Sequence, residues 1–297
     1  MANLQDIRRR IRSVRNMQQI TKAMKMVAAA YLKRSQDRVI NARPYANAMI
    51  RVLSRLAARA GEYHHPLLDP RGDQHYLVLL LTADKGLCGA FNTNLIKAAQ
   101  KFIRDHAGKR IEMIAVGRKG RDFFRRRGVP IIREYTEVGG RGVSYETAAR
   151  IAREAMELYT AEESTVDKVF LIYSEFKSVL SQRVAVKQVL PVGAEEFTGE
   201  TEPARPDESA VLIDYLYEQP PGEIFGRLLP RYVETQVFRA LLESVAGEHG
   251  SRMTAMDSAS KNAGDVISDL TLNMNRVRQA SITREIIEVV SGAQALD

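Results

Sequence analysis

The residues with the best claim to chemistry are Gly86-Leu87-Cys88-Gly89, shortly after the apolar run Tyr76–Thr82 and ahead of a helical stretch. Phosphate loops form in such turns, because backbone N–H groups and a helix N-terminus together face an anion. The spacing fits neither G-x-x-x-x-G-K-[ST] nor G-x-G-x-x-G, and Lys85 precedes the first glycine instead of following the last. The turn therefore reads as a structural βα connection, with Asn92 or Thr93 as the cap of the following helix. Cys88 is the single cysteine, which excludes an internal disulfide and a multi-cysteine metal site. It reads as a small buried thiol, since no oriented base accompanies it. Of the five histidines, His64, His65 and His75 fall in a loop over 61–75 without helical metal spacing. Arg71-Gly72-Asp73 matches an adhesion tripeptide, but a loop turn accounts for it equally well. The sequence contains no catalytic constellation and points to no cofactor or metal.

The elements that would position these residues follow from composition and spacing. The chain has 297 residues, 45% hydrophobic and 27% charged, which suits a globular protein of one large or two smaller units. No apolar run approaches the roughly 18 to 20 residues of a membrane-spanning helix. The start, MANLQDIRRR, lacks the apolar core of a secretory signal. Residues 1–60 hold no Gly and one Pro, Pro44, and residues 231–297 hold no Pro. Both breakers concentrate in the middle, so the ends read as helical and the middle as mixed.

Apolar spacing sharpens the reading of the ends. Steps of three and four from Leu4 reach Ile7, Ile11 and Val14, then Gln18, Thr21 and Lys25, then Ala28, Leu32 and on to Leu56. A 3.5-residue repeat sustained this long predicts a helix that supercoils with a partner. Within the polar window at Gln18, Thr21 and Lys25, the apolar residues Met17, Ile20, Met24 and Val27 lie on another face. A second register runs from Met253 through Met256, Ser260, Ala263, Ile267, Leu270 and Met274 to Val277 and Ser281. Beyond it, Ile282, Ile286, Ile287, Val289 and Val290 form an apolar end that stays bare if the partner helix stops short. The two terminal helices are natural partners in an antiparallel coil, with a homodimeric coil as the competing structure.

Between them, Tyr76–Thr82, Ile111–Val116 and Val169–Tyr173 read as buried strands, and Val184–Val189 as an antiparallel edge strand. Helices are expected over Asn94–His106, 118–127 and 144–160. This alternation predicts a mostly parallel, Rossmann-like sheet. Residues 193–210 read as an exposed loop, followed by a short helix over Ala210–Glu218 and a Pro220-Pro221 turn. The expected fold is α/β plus long helices, an antiparallel two-stranded coiled coil with a central Rossmann-like domain. The expected division is 1–60, 61–209 and 210–297.

The net charge is +8. Residues 1–59 carry 14 Lys+Arg against 2 Asp+Glu, residues 60–230 carry 23 against 25, and residues 231–297 carry 7 against 9. Divided this way, the whole basic excess lies in the N-terminal fifth, which suggests an acidic or polyanionic partner. Nucleic acid is one candidate, but residues 1–59 offer only Tyr31 and Tyr45 for base stacking.

Three segments carry a family resemblance. Ile7-Arg8, Ile11 and the run Gln18–Ala29 resemble the N-terminus of the F-type ATP synthase gamma subunit. Thr82–Asn92 resembles that family's central turn. Arg278–Glu285 with Glu288–Ala293 resembles its C-terminal signature, and the likeness runs end to end in order. The resemblance implies a central rotor shaft that couples proton flow to ATP synthesis or hydrolysis. Its implied partners are three alpha and three beta subunits, the epsilon subunit and the membrane c-ring. Catalytic sites would lie on the beta subunits, and the chain would need no cofactor, bind no nucleic acid and meet the membrane only through the complex. It also implies a peripheral place on the cytoplasmic face of a bacterial membrane. Met24 falls at the position that faces the acidic beta-subunit lever, with Lys25 beside it as a further partner-contact residue, and Arg278, Gln279 and Thr283 at those that meet the beta catch region. Tyr215, Tyr217 and Glu218 match the foot segment near the c-ring. Arg284 departs from the Gln or Lys expected there. The alternative reading from the residues alone is a basic coiled-coil nucleic-acid-binding protein.

Overall fold

A computed structural model of the chain describes residues 4–57, 64–139, 142–161, 165–179, 181–193 and 220–294. The terminal segments are single long helices, α1 (Leu4–Ala57) and α5 (Pro221–Gln294). Between them run β1 (His75–Leu81), α2 (Phe91–Asp105), β2 (Arg110–Val116), α3 (Arg118–Arg125), β3 (Ile131–Tyr135), α4 (Tyr145–Thr160), β4 (Lys168–Phe176) and β5 (Gln182–Leu190). The chain forms two compact units, one of residues 1–30 with 252–297 and one of residues 31–251.

In the larger unit a five-stranded sheet has the order β3-β2-β1-β4-β5. All pairs are parallel except β4 with β5. β1 lies at the centre with both faces covered, and all seven of its residues are buried. That is why its sequence is apolar throughout instead of alternating. β5 is the antiparallel edge strand that its alternation predicts. The other edge, β3, went unforeseen: it has five residues, three of them charged or aromatic-polar (Arg133, Glu134, Tyr135). Charge of this kind protects an edge from pairing with another chain, and it also erases the apolar run that marks a strand.

Helices cover both faces. α2 and α3 close one side around Phe91, Leu95, Phe102 and Phe124. On the other side lie α4 and segments of α1 and α5, through Leu53, Leu56, Ile151, Val233 and Leu241. The α1 register is met residue by residue here: Leu32, Ser35, Val39, Ala46, Met49, Leu53 and Leu56 are buried. Burying one such leucine contributes roughly 2 kcal/mol. α4 begins at Ser144, whose Oγ accepts from the Thr147 N–H at 3.2 Å, an N-cap. It is tied to α5 through the buried Glu234, which accepts from the Tyr145 hydroxyl at 2.7 Å and from Arg153 Nε at 2.8 Å. Burial, then the Glu234 bond, pushes the Tyr145 phenol up to about 12, so it stays a donor at physiological pH.

Gly117 joins β2 to α3 with φ of +94°, and a Cβ there would collide with the Thr82 carbonyl. We expect Gly117→Ala to cost about 3 kcal/mol or more, combining left-handed strain with a backbone clash. Gly108 has nothing within 4 Å of a built Cβ, so Gly108→Ala is the neutral control. Urea midpoints check both, and an unchanged midpoint for Gly117→Ala contradicts the assignment.

Candidate functional site

The glycine turn after β1 is tied down by its own side chains. The Thr82 hydroxyl donates to the Val116 carbonyl at 3.1 Å and accepts from the Gly120 N–H at 2.9 Å. Asp84 accepts from the Arg118 N–H at 3.1 Å and the Glu137 N–H at 2.8 Å. Asn92 accepts from the Ala83 N–H at 2.9 Å and donates to Cys88 Sγ at 3.2 Å. The sequence reading of Asn92 or Thr93 as the helix cap is therefore corrected: Ala90 is the N-cap, without a side-chain bond, and α2 starts at Phe91. Asn92 fails as a cap because its amide is committed to the turn. Cys88 is buried.

In open parallel sheets, ligands sit outside the carboxyl ends of the strands where the strand order reverses, here between β1 and β4. α5 occupies that position. Leu241, Ser244, Val245 and Glu248 face the ends of β1 and β2, leaving about 20 Å³, room for a water and not a nucleotide. Ser244 Oγ accepts from the Ser174 N–H of β4 at 3.1 Å. Gly247 brings the helix against Ser174 and Phe91, where any Cβ would be crowded.

The other candidates resolve into structural roles. Arg71 donates to the Thr160 and Ala161 carbonyls, both at 3.2 Å, and so caps the end of α4. Asp73 accepts from Lys168 at 2.6 Å, from Tyr76 at 2.6 Å and from Lys109 at 2.8 Å. These cations hold its carboxyl well below the usual range. The Arg71-Gly72-Asp73 tripeptide is thus built into the domain. His75, placed in a loop by sequence, is the first residue of β1 and is buried, with Nδ1 2.8 Å from the Thr165 hydroxyl.

The smaller unit is an antiparallel coil, since Gln18 and Lys25 on α1 meet Ser260 and Asp257 on α5 in reverse order. Ile7, Ile11, Thr21 and Ala28 are buried on α1, and Met256 and Ala263 on α5. The polar window is a bonded layer. Gln18 Nε2 donates to the Ser260 carbonyl at 3.2 Å, and Lys25 Nζ to Asp257 at 2.6 Å, with Lys261 at 3.1 Å from the same carboxylate. Lys25 first, then Lys261, lowers the Asp257 pKa.

Two surfaces remain open in this unit. Met17, Ile20 and Val27 are more than half exposed and Met24 is half-buried, a stripe beside the seam. Its own spacing is 3-4-3. From Arg278 to Ser291 every α5 residue is exposed, including Gln279 and Thr283, and Ile282, Ile286, Ile287, Val289 and Val290 form the bare apolar end. Lys25 differs from its sequence-predicted neighbours, because it is bonded across the coil while its side chain stays 43% exposed. Tyr215, Tyr217, Glu218 and the expected Ala210–Glu218 helix lie outside the described residues.

The family model described as ATP synthase matches residues 3–296. The ATP synthase gamma chains of Solibacter usitatus and Anaeromyxobacter dehalogenans are 52% and 50% identical to the chain, each over the full length of both. That of Geobacter metallireducens is 48% identical over all of this chain and 99% of its own. The chain belongs to the ATP synthase gamma chain family. A chain of the central stalk and c-ring structure from Tetrahymena thermophila mitochondrial ATP synthase shares 27% identity, with a TM-score of 0.59 over 81% of this chain and 99% of its own. One from the Euglena gracilis enzyme, at 16% identity and a TM-score of 0.66, shares the fold over 99% of this chain and 94% of its own. Gamma-chain family membership makes the chain a component of an ATP synthase. In its terms, the central signature segment is a self-tied turn and the N-terminal one a coil seam with a polar layer.

The Asp257 layer generates a pH test. A carboxyl with a lowered folded pKa stabilises above its ordinary value near 3.8 and loses that contribution as pH falls. We expect Asp257→Asn to lower the melting temperature at pH 7, with the gap to the parent closing as pH drops through 4 toward 2. A gap that does not change with pH counts against the ion pair.

Proposed function

We propose that the chain is the rotating central stalk of a bacterial ATP synthase, coupling ion movement through the membrane sector to ATP synthesis or hydrolysis. The observation that carries this reading is the full-length likeness, at about half identity, to bacterial ATP synthase gamma chains. Three alpha and three beta subunits would surround the coil, with epsilon and the c-ring at the opposite end. The catalytic nucleotide sites lie on the beta subunits in this reading. The covering of the sheet's nucleotide position by α5 supports a non-catalytic role. No described helix is long and apolar enough to cross a membrane, in keeping with a peripheral place, which we assign to the cytoplasmic face. Functionally, residues 1–60, 61–209 and 210–297 serve as first coil helix, sheet domain, and foot with second coil helix.

The contact roles follow the chemistry of the open surfaces. Met24 carries a flexible apolar side chain beside the seam, suited to sliding over partners that change as the stalk turns. Lys25 and the +12 segment suit acidic levers on the beta subunits. Arg278, Gln279 and Thr283 offer polar contacts above the apolar end, which suits a hydrophobic bearing. Tyr215, Tyr217 and Glu218 are assigned to the c-ring foot.

The test is Met24→Lys in the assembled complex. The substitution lies off the seam, so stability should stay within about 0.5 kcal/mol of the parent. ATP-driven proton pumping per ATP hydrolysed should fall severalfold, because an added cation meets the acidic lever at each pass. Equal losses of thermal stability and coupling would falsify this role for Met24.

A further inference from the structure

The expected effect of Met24→Lys raises a question about the native residue next to it. Lys25 already carries a cation beside the stripe of Met17, Ile20, Met24 and Val27. From Met17 to Val27, α1 holds two cations, Lys22 and Lys25, and no carboxylate. At 3.6 residues per turn, Lys22 sits about 160° around the helix from Met24, on the far side, and Lys25 about 100°. Lys25 is therefore the cation that borders the stripe. A lysine is a compact point charge on a flexible four-carbon stem, so a free one swings towards any acidic group within reach.

Asp257 restrains this one. Its Oδ1 lies 2.6 Å from Lys25 Nζ and its Oδ2 3.1 Å from Lys261 Nζ, so both oxygens are committed to cations. Of the seven cations on α1 in the coil unit, Lys25 alone has an ion-pair partner among the described residues. The pair is open to solvent, with side chains 43% and 33% exposed, and pairs of this kind contribute modestly to folding. Register does not require a charge here, since the Gln18–Ser260 bond already marks it without one. What the pair changes is the charge a partner meets. A cation with its counterion this close presents a dipole, whose field falls off faster than that of a lone charge. Resting on the stalk reading above, we propose that Asp257 is a positioning residue for coupling. It holds the Lys25 ammonium against the seam, so that the stripe passes an acidic lever as an apolar surface without a charged hook. Lys25 then meets the lever as half of an ion pair, and Lys261 anchors the second carboxylate oxygen from the next turn of α5. An unshielded cation at this place would bind the lever at one angle of the stalk and resist the next step.

The test uses the assembled complex in membranes and reads protons pumped per ATP hydrolysed. Asp257→Asn removes the counterion with little change of shape and should lower this ratio at least twofold, in the direction expected of Met24→Lys. Adding Lys25→Gln to it should restore the ratio to near the parent value. A purely structural role predicts no such rescue, because the ion pair is absent from both variants and a stability defect would persist in the double one. Raising the ionic strength from about 0.05 M to about 0.3 M should shrink the Asp257→Asn defect, since screening weakens attraction between exposed charges. Asp265→Asn, exposed on the same helix and in no ion pair among the described residues, matches the change in net charge and should leave the ratio at the parent value. An unchanged ratio in Asp257→Asn while Met24→Lys is impaired overturns the proposal. So does a loss that Lys25→Gln leaves unrepaired, a loss indifferent to salt, or an equal loss in Asp265→Asn. If Met24→Lys and Asp257→Asn both leave coupling intact in a complex that assembles, the lever reading fails and the proposal with it.

Discussion

The structure depends on a spacing of three and four residues held from Leu4 to Leu56 and again from Met253 to Val277. That repeat obliges each terminal helix to bury a stripe: in the smaller unit the two stripes meet antiparallel, and in the larger unit Val39, Met49, Leu53 and Leu56 of α1 enter the core beside the sheet. A chain whose ends pair in this way must make everything else between them, which is why the α/β domain is an insertion between helices. An all-apolar seam would allow slippage by a heptad. The layer of Gln18, Thr21 and Lys25 against Ser260, Asp257 and Lys261 opposes this, since a shift breaks both the amide bond and the ion pair. Polar seam positions cost stability relative to leucine and gain a unique register.

The same helices decide what the sheet does not do. A Rossmann-like order with a glycine turn after the first strand is a frame on which nucleotide sites are often built. Here the turn's hydroxyl, carboxylate and amide side chains bond to the chain's own backbone, and α5 lies across the strand ends. Fold alone carried no functional conclusion.

Much of this was legible in the sequence because period is a direct consequence of geometry. Every seam position from Leu4 to Leu56 is buried or half-buried, and so is every one from Met253 to Val277, while Ser281, the last of the second register, is exposed. Central strands announced themselves through unbroken apolar runs. β3 did not, because edge protection replaces apolar residues with charge. Asn92 misled because a cap and a turn latch use the same side chain, and only the backbone decides between them. The partner-contact roles proposed for Arg278, Gln279 and Thr283 came from resemblance, as no local property of an exposed polar residue marks a partner.

At the centre is the proposal that the chain contributes no catalytic site of its own and acts by giving sites on other subunits their turnover. The most direct measurement is ATP hydrolysis by purified alpha and beta subunits with and without this chain, beside the chain alone. Sustained turnover in the full mixture, with none from the chain alone and little from alpha and beta alone, is the predicted result. Hydrolysis by the isolated chain, or turnover by alpha and beta that its addition leaves unchanged, contradicts the account.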